Sequence, residues 1–296
     1  MSRDDLERRR GLTFAQAEGA APIPQQLDRT AMPPRLRSRL WKAVEWYIGK
    51  VMSEGNSDYF INDQLYAIIE YYHIDTNQSF SAPFSNDVDD VKSYVKGVYE
   101  TGSYVNVYDL TQRLIQFDRE EKTLARIIDM MLTSELSSYR VFDDSIIAPI
   151  ASEQEAETVT RAFDELGKAG AVGARQHIRN AIELLNRSRF ADSVRESINA
   201  VESISKVLSS DPKTELAGAL SALEKTSNIH GGMKRAFNAL YGYTSDRDGI
   251  RHSLLYGSEA KVDEADALFM IGACSAFVTY LISRARDAGI SIKSTE

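Results

Sequence analysis

Apolar residues recur along this chain at the three- and four-residue spacing of helices, and turn-forming residues interrupt them. The Pro33-Pro34 pair marks a helix start, because proline's fixed φ suits a first turn whose N–H groups have no helical partner. Leu36, Leu40, Val44, Ile48 and Val51 then form one stripe, and Gly55 closes it. Upstream, residues 1–10 read as disordered. A short helix is expected at about 13–18, and Pro22 and Pro24 favour an extended segment after it. Further helices are expected at about 61–72, 87–100, 105–117 and 120–132, with a turn-rich loop over 77–87.

The segment Tyr139–Ile150 breaks the helical period. Two short β-rich runs flank Asp143-Asp144, which predicts a small hairpin. Pro149 follows, and then Ser152 with Glu155 three residues on, a helix-capping pattern. These signals place a domain boundary between 148 and 149. Beyond it, helices are expected at about 153–167, 173–187, 190–209, 213–225 and 231–240. The glycine-rich stretch Gly167–Gly173 lacks the preceding strand and the Lys-Ser/Thr pair of a phosphate loop, so it reads as a helix–helix connection. A final helix is expected from about Asp263, with acidic residues at its start and Arg284 and Arg286 at its end, as the helix dipole favours. Its apolar run Ala267–Ile282 is shorter than the roughly 20 residues of a membrane span. It reads as the buried centre of a bundle, and no membrane partner is expected.

Composition narrows the function. Of 296 residues, 43 are acidic and 35 basic, a net charge of −8. A surface built to wrap nucleic acid without sequence preference is usually strongly basic, which disfavours that reading for the whole molecule while leaving room for a local RNA-contacting cleft. One cysteine, Cys274, excludes an intrachain disulfide framework and a cysteine zinc site, and its apolar surroundings make it a core residue. His73, His177, His230 and His252 lie at no metal-ligand spacing, so no metal and no cofactor is expected. The charged N-terminus is not read as a signal peptide, and a cytoplasmic protein is expected. Tyrosines cluster in the first half, among them Tyr66, Tyr72, Tyr99 and Tyr108. They are expected to pack in the core with polar tips satisfied rather than to stack on bases.

The segment Gly242–Leu255 carries the candidate chemistry. Ser245 with Asp248 resembles a capping box that would start a short helix near Asp246. Ile250 and Leu254 define its apolar stripe, and His252, about 200° round the helix from Ile250, points away from it. Asp248, His252 and Tyr256 share one face, while Arg247 and Arg251 share an adjacent one. Histidine can move a proton near neutral pH, arginine can bind a phosphate bidentately, and Asp248 could orient the imidazole. A solvated polar helix face would show the same residue types. On the helix over 190–209, Arg195 and Glu202 are seven apart and flank an apolar stripe of Val194, Ile198, Val201 and Ile204. They read either as a charged pair reaching the His252 helix or as a surface ion pair.

Several segments resemble a known family. Arg195–Glu202, Leu240–Asp246, Asp248–His252, Ala265–Met270 and Cys274–Phe277 resemble a HEPN domain of the abortive-infection C-terminal type. Phe14–Gly19, Pro22–Pro24, Leu36–Trp41 and the hairpin segment resemble the helical N-terminal domain of AbiJ-like proteins. The resemblance implies an all-α protein of two helical domains joined by a short β-hairpin: an AbiJ-like domain over 1–148 and a HEPN-like four-helix bundle over 149–296. It implies an antiphage abortive-infection effector that cleaves RNA without metal, with His252 and either Arg247 or Arg251 catalytic. The family often carries an acidic residue at position 247, so the functional guanidinium stays open between the two. Asp246, Asp248, Arg195, Glu202 and Tyr256 would support or bind. The implied partners are RNA as substrate, a second copy through the C-terminal bundle, and a trigger for the N-terminal half. The alternative is a noncatalytic RNA-, nucleotide- or protein-binding sensor.

Overall fold

The computed structural model describes residues 14–20, 25–54, 60–76, 78, 84–118, 120–209, 216–226, 229–245 and 262–290. These residues are mostly helical. After a single helical turn at Phe14–Ala17, helix α1 spans Pro34–Glu54, with Leu36, Leu40, Val44 and Ile48 fully buried. Helix α2 is Asp63–Tyr71, running into a π-helical turn at Tyr72–Thr76. It starts two residues later than its apolar pattern implies because Asn62 caps it, accepting from the Gln64 and Leu65 N–H groups at 3.0 and 3.2 Å. Helix α3 (Val88–Thr101) is capped by Asp87 and helix α4 (Tyr104–Phe117) by a Ser103–Asn106 capping box. Helix α5 (Thr123–Ser134) begins three residues after the expected 120. Asp118 accepts the Leu124 N–H at 2.7 Å and Lys122 is left-handed, so residues 120–121 form a turn instead.

The tyrosines of this half pack largely as expected. Tyr72 and Tyr99 are fully buried, and their hydroxyls meet the Asn106 carbonyl at 3.1 Å and the Thr111 hydroxyl at 2.7 Å. Burial pushes the Tyr108 phenol up to about 12. Among the described residues Tyr71 is the exception: it is exposed, with the Arg113 guanidinium 5.0 Å over its ring. Arg37 locks α1 to the end of α3 by donating to the Tyr99 and Gly102 carbonyls at 2.9 and 2.8 Å, which the helix leaves without internal partners.

The hairpin forms as predicted. Strand β1 (Tyr139–Phe142) pairs antiparallel with β2 (Ile146–Pro149), Tyr139 opposite Pro149 and Phe142 opposite Ile146. Asp143 and Asp144 are both left-handed, with φ 51° and 53°, a conformation Asp tolerates better than most residues. An isolated two-stranded ribbon is marginal in water. This one is held by side chains that replace missing neighbour strands. Asp129 accepts the Val141 N–H at 2.8 Å, Gln112 accepts the Ile147 N–H at 2.7 Å, and Asn186 donates to the Ile147 carbonyl at 2.8 Å. Ile147 enters the core built by α1–α5, while Phe142, Ile146 and Ala148 enter the second core.

That second core is built by α6 (Glu153–Ala169), α7 (Val172–Asn186), α8 (Phe190–Ser209) and α11 (Glu264–Asp287), with α9 (Leu216–Thr226) and α10 (Gly231–Ser245) packed against α8. Ser152 caps α6 and left-handed Gly170 closes it; the expected helix–helix connection is shorter than 167–173, since α6 runs to Ala169 and α7 starts at Val172, leaving 170–171 between them. Helix α11 has the Asp263–Asp266 capping box, and Ala267, Ile271, Cys274, Val278 and Ile282 are among its buried residues. Among the described residues it is the one helix long and apolar enough to cross a membrane, and its buried face is the centre of this core. Burial pushes the Cys274 thiol up to about 12, as befits a core residue. Helix α10 departs from expectation. It runs through Gly242 to Ser245 instead of stopping near 240, so the backbone at Ser245 is helical. The helix it was expected to start lies outside the described residues.

Candidate functional site

Of the residues singled out from the sequence, Arg195 and Glu202 are described; Asp246, Arg247, Asp248, Arg251, His252 and Tyr256 lie outside the described residues. Arg195 and Glu202 do flank the expected stripe, since Val194, Ile198, Val201 and Ile204 are buried. They do not pair with each other. Arg195 pairs with Asp192 one turn back, and Glu202 with Lys206 one turn on, at 2.6 Å. Ion pairing at three or four residues is geometrically easier on a helix than at seven.

The face of α8 that carries Arg195 meets α7 in a polar seam. Glu196 accepts from Asn180 at 3.1 Å and from Asn199 at 3.1 Å, and its carboxylate lies 2.8 Å from His177 Nδ1. Burial alone would raise the Glu196 carboxyl; the His177 contact and the two amide donors outweigh it and hold the group below the usual carboxylate range. His177 and Asn180 lie three apart on α7, as do Glu196 and Asn199 on α8. Those two spacings, each beside an apolar stripe, are the signal in the sequence that could have found this cluster.

Next to the seam a cleft of about 490 Å³ opens at the α7–α8 turn, where Arg187 and Arg189 join Arg195. The turn is fixed by left-handed Ser188, with φ 56°, and by the Arg189 N–H donating to the Leu184 carbonyl at 2.9 Å. Arg189 and Arg195 occupy different oxygens of the same Asp192 carboxylate. Burial lowers the Arg195 pKa, and the neighbouring Arg189 charge lowers it further. A larger cleft, about 850 Å³, lies in the first half between α1, α2 and α4. Its cations are committed, Lys50 to Glu121 and Arg113 to Asp109. Asp118, Glu120 and Glu121 make it the more acidic of the two. Among the described residues no group of three or more His, Cys, Asp or Glu side chains could hold a metal ion.

The Glu196 cluster predicts a pH signature. A carboxyl held below its unfolded value of roughly 4.3 contributes stability that is complete above that pH and is lost as pH falls through the folded value. Glu196→Gln is therefore expected to lower the melting temperature by roughly 2–4 °C at neutral pH. The gap from the parent should close below about pH 4. Thermal unfolding monitored by circular dichroism across pH checks this, and a gap independent of pH would show that the carboxylate charge does not hold the seam.

Residues 12–165, just over half of the chain, match the family model described as AbiJ N-terminal domain 4. No curated protein and no solved structure matches the chain. The matched span takes in all five helices of the first core, the hairpin and most of α6, so the hairpin that feeds both cores lies inside it. On that match the chain is an AbiJ-like protein, a member of the AbiJ N-terminal domain 4 family.

Proposed function

We propose that this protein is a cytoplasmic abortive-infection effector whose residues 149–296 form a HEPN-like bundle that cleaves RNA without a metal. Membership of an AbiJ family supports the defence role. The observation that carries the chemistry is the Asp248-Gly249-Ile250-Arg251-His252 string, which follows Gly242–Asp246 as in abortive-infection HEPN domains. In the proposed reaction the ribose 2′-oxygen attacks the adjacent phosphorus and the bond to the 5′-oxygen breaks. His252 takes the proton from the 2′-hydroxyl or gives one to the leaving 5′-oxygen, and Arg247 or Arg251 offsets charge on the five-coordinate phosphate. The products are a 2′,3′-cyclic phosphate and a 5′-hydroxyl. A homodimer through the same bundle would bring two Arg247–Tyr256 faces together and locally offset the chain's net charge of −8.

The test is incubation of total RNA with the full chain in excess EDTA. Cleavage leaving cyclic phosphate ends is expected. Intact RNA under all conditions would leave the noncatalytic sensor as the reading.

A further inference from the structure

Three guanidiniums converge on the α7–α8 cleft, and the carboxylates around them are unequally available. Glu183 is taken by Arg179 at 3.2 Å. Glu196 is held by His177, Asn180 and Asn199. Asp192 pairs with the arginines and is divided between Arg189 and Arg195, while the Glu196 charge also acts on Arg195. Arg187 is exposed and has no ion pair among the described residues. One carboxylate shared by two guanidiniums, with a third lining the same cleft, leaves positive charge there for a further anion to offset. A tetrahedral phosphate, with several acceptor oxygens, suits planar guanidiniums that can each bind in bidentate fashion. The amides of Asn180 and Asn199 line the same cleft.

We propose that the cleft at the α7–α8 turn binds a phosphate group of RNA through Arg187, Arg189 and Arg195, as a positioning site separate from the His252 segment in sequence. The inference rests on the RNA reading above for the source of the phosphate, and on the cleft for its place. Arg187 and Arg189 sit on either side of a residue fixed in the left-handed region, so the turn presents both at little further ordering cost. Arg195 is only partly exposed and anchors the inner wall.

The test uses the full-length chain carrying His252→Ala, so that bound RNA is not consumed, and a short labelled single-stranded oligoribonucleotide read by fluorescence anisotropy at several salt concentrations. Each phosphate contact to a single strand contributes about −0.7 to the slope of log affinity against log salt. Arg187→Gln/Arg189→Gln is expected to remove that one phosphate contact and make the slope shallower by about 0.7. It should also weaken binding at low salt by roughly tenfold or more. Arg161→Gln, which removes one exposed charge from α6 away from the cleft, is the control for net charge and should leave the slope unchanged. Melting of each variant checks the fold, and both turn arginines are exposed, so little stability should be lost.

Competition by a nucleoside 5′-monophosphate as strong as by the oligoribonucleotide would assign the cleft to free nucleotide and overturn the RNA assignment. An unchanged slope in the double variant, or no RNA binding by the His252→Ala chain, overturns the proposal. The two readings fail separately. RNA bound through the cleft but never cleaved by the parent sinks the nuclease and leaves the site. Cleavage by the parent with an arginine-independent slope sinks the site and leaves the nuclease.

Discussion

His252→Ala is expected to reduce RNA cleavage by roughly 10²–10⁴-fold, the range for loss of a positioned proton-transfer group. The same change is expected to move stability by no more than about 0.5 kcal/mol, as for a surface residue. Both numbers rest on the helix that the spacing of the segment predicts. In such a helix Ile250 and Leu254, four apart, would make the apolar stripe, and His252 would lie about 200° from Ile250. A side chain on that side would leave no cavity when truncated. The companion variants decide which arginine acts. Arg251→Ala with a large loss beside an active Arg247→Ala would make Arg251 the functional guanidinium and the four-residue gap between Arg247 and His252 incidental. Cleavage in EDTA and thermal unfolding, measured on the same samples, give the two readouts. Parent-like cleavage by His252→Ala ends the nuclease reading, and a large loss of stability places His252 in the core.

What could be read from the sequence was what neighbouring residues decide. The α1 stripe and the Ser152 cap on α6 depend on spacings of three or four residues and formed as expected, and α11 starts beside Asp263 as its acidic first turn implied. The hairpin was legible because Asp143-Asp144 suits a left-handed turn. Its role was not, because the groups that hold it, Gln112, Asp129 and Asn186, are at least 12 residues away along the chain. The late start of α5 depends on Asp118 reaching forward to Leu124, a six-residue capping contact that no short pattern specifies. Helix α10 runs past the expected 240 and through Gly242, since a glycine weakens a helix by only about 1 kcal/mol. The charged residues of α8 show the same division. Arg195 and Glu202 share a stripe but take nearer partners on their own helix, whereas Glu196 meets His177 across 19 residues of sequence, a contact set by packing α7 on α8.

The second large effect is expected at the tip of the hairpin. Asp143 is almost out of water, with 8% of its side chain exposed, and it faces two cations from α7. Arg175 Nε donates to it at 3.0 Å and Arg179 Nη1 at 2.8 Å. Removing one member of a buried pair costs about 3–5 kcal/mol, because the remaining charge is stranded. Here both arginines keep some contact with water, which lowers the expected cost of Asp143→Asn to about 2–3 kcal/mol. That corresponds to a fall in melting temperature of roughly 5–10 °C for a domain of this size. Asparagine also tolerates the left-handed backbone, so this variant isolates the charge. Asp143→Ala should cost about 1 kcal/mol more, from forcing a residue without that tolerance to φ 51°. Asp144 provides the contrast. It meets Lys122 at 2.9 Å, but both side chains are well exposed, so Asp144→Asn should cost less than about 1 kcal/mol. The difference matters for the whole molecule, since the hairpin feeds Ile147 into one core and Phe142, Ile146 and Ala148 into the other, and Asp143 ties its tip to α7. Differential scanning calorimetry on the three variants measures it. If Asp143→Asn melts within about 1 °C of the parent, the carboxylate is not what fixes the tip, and the contacts from Gln112, Asp129 and Asn186 hold the hairpin without it.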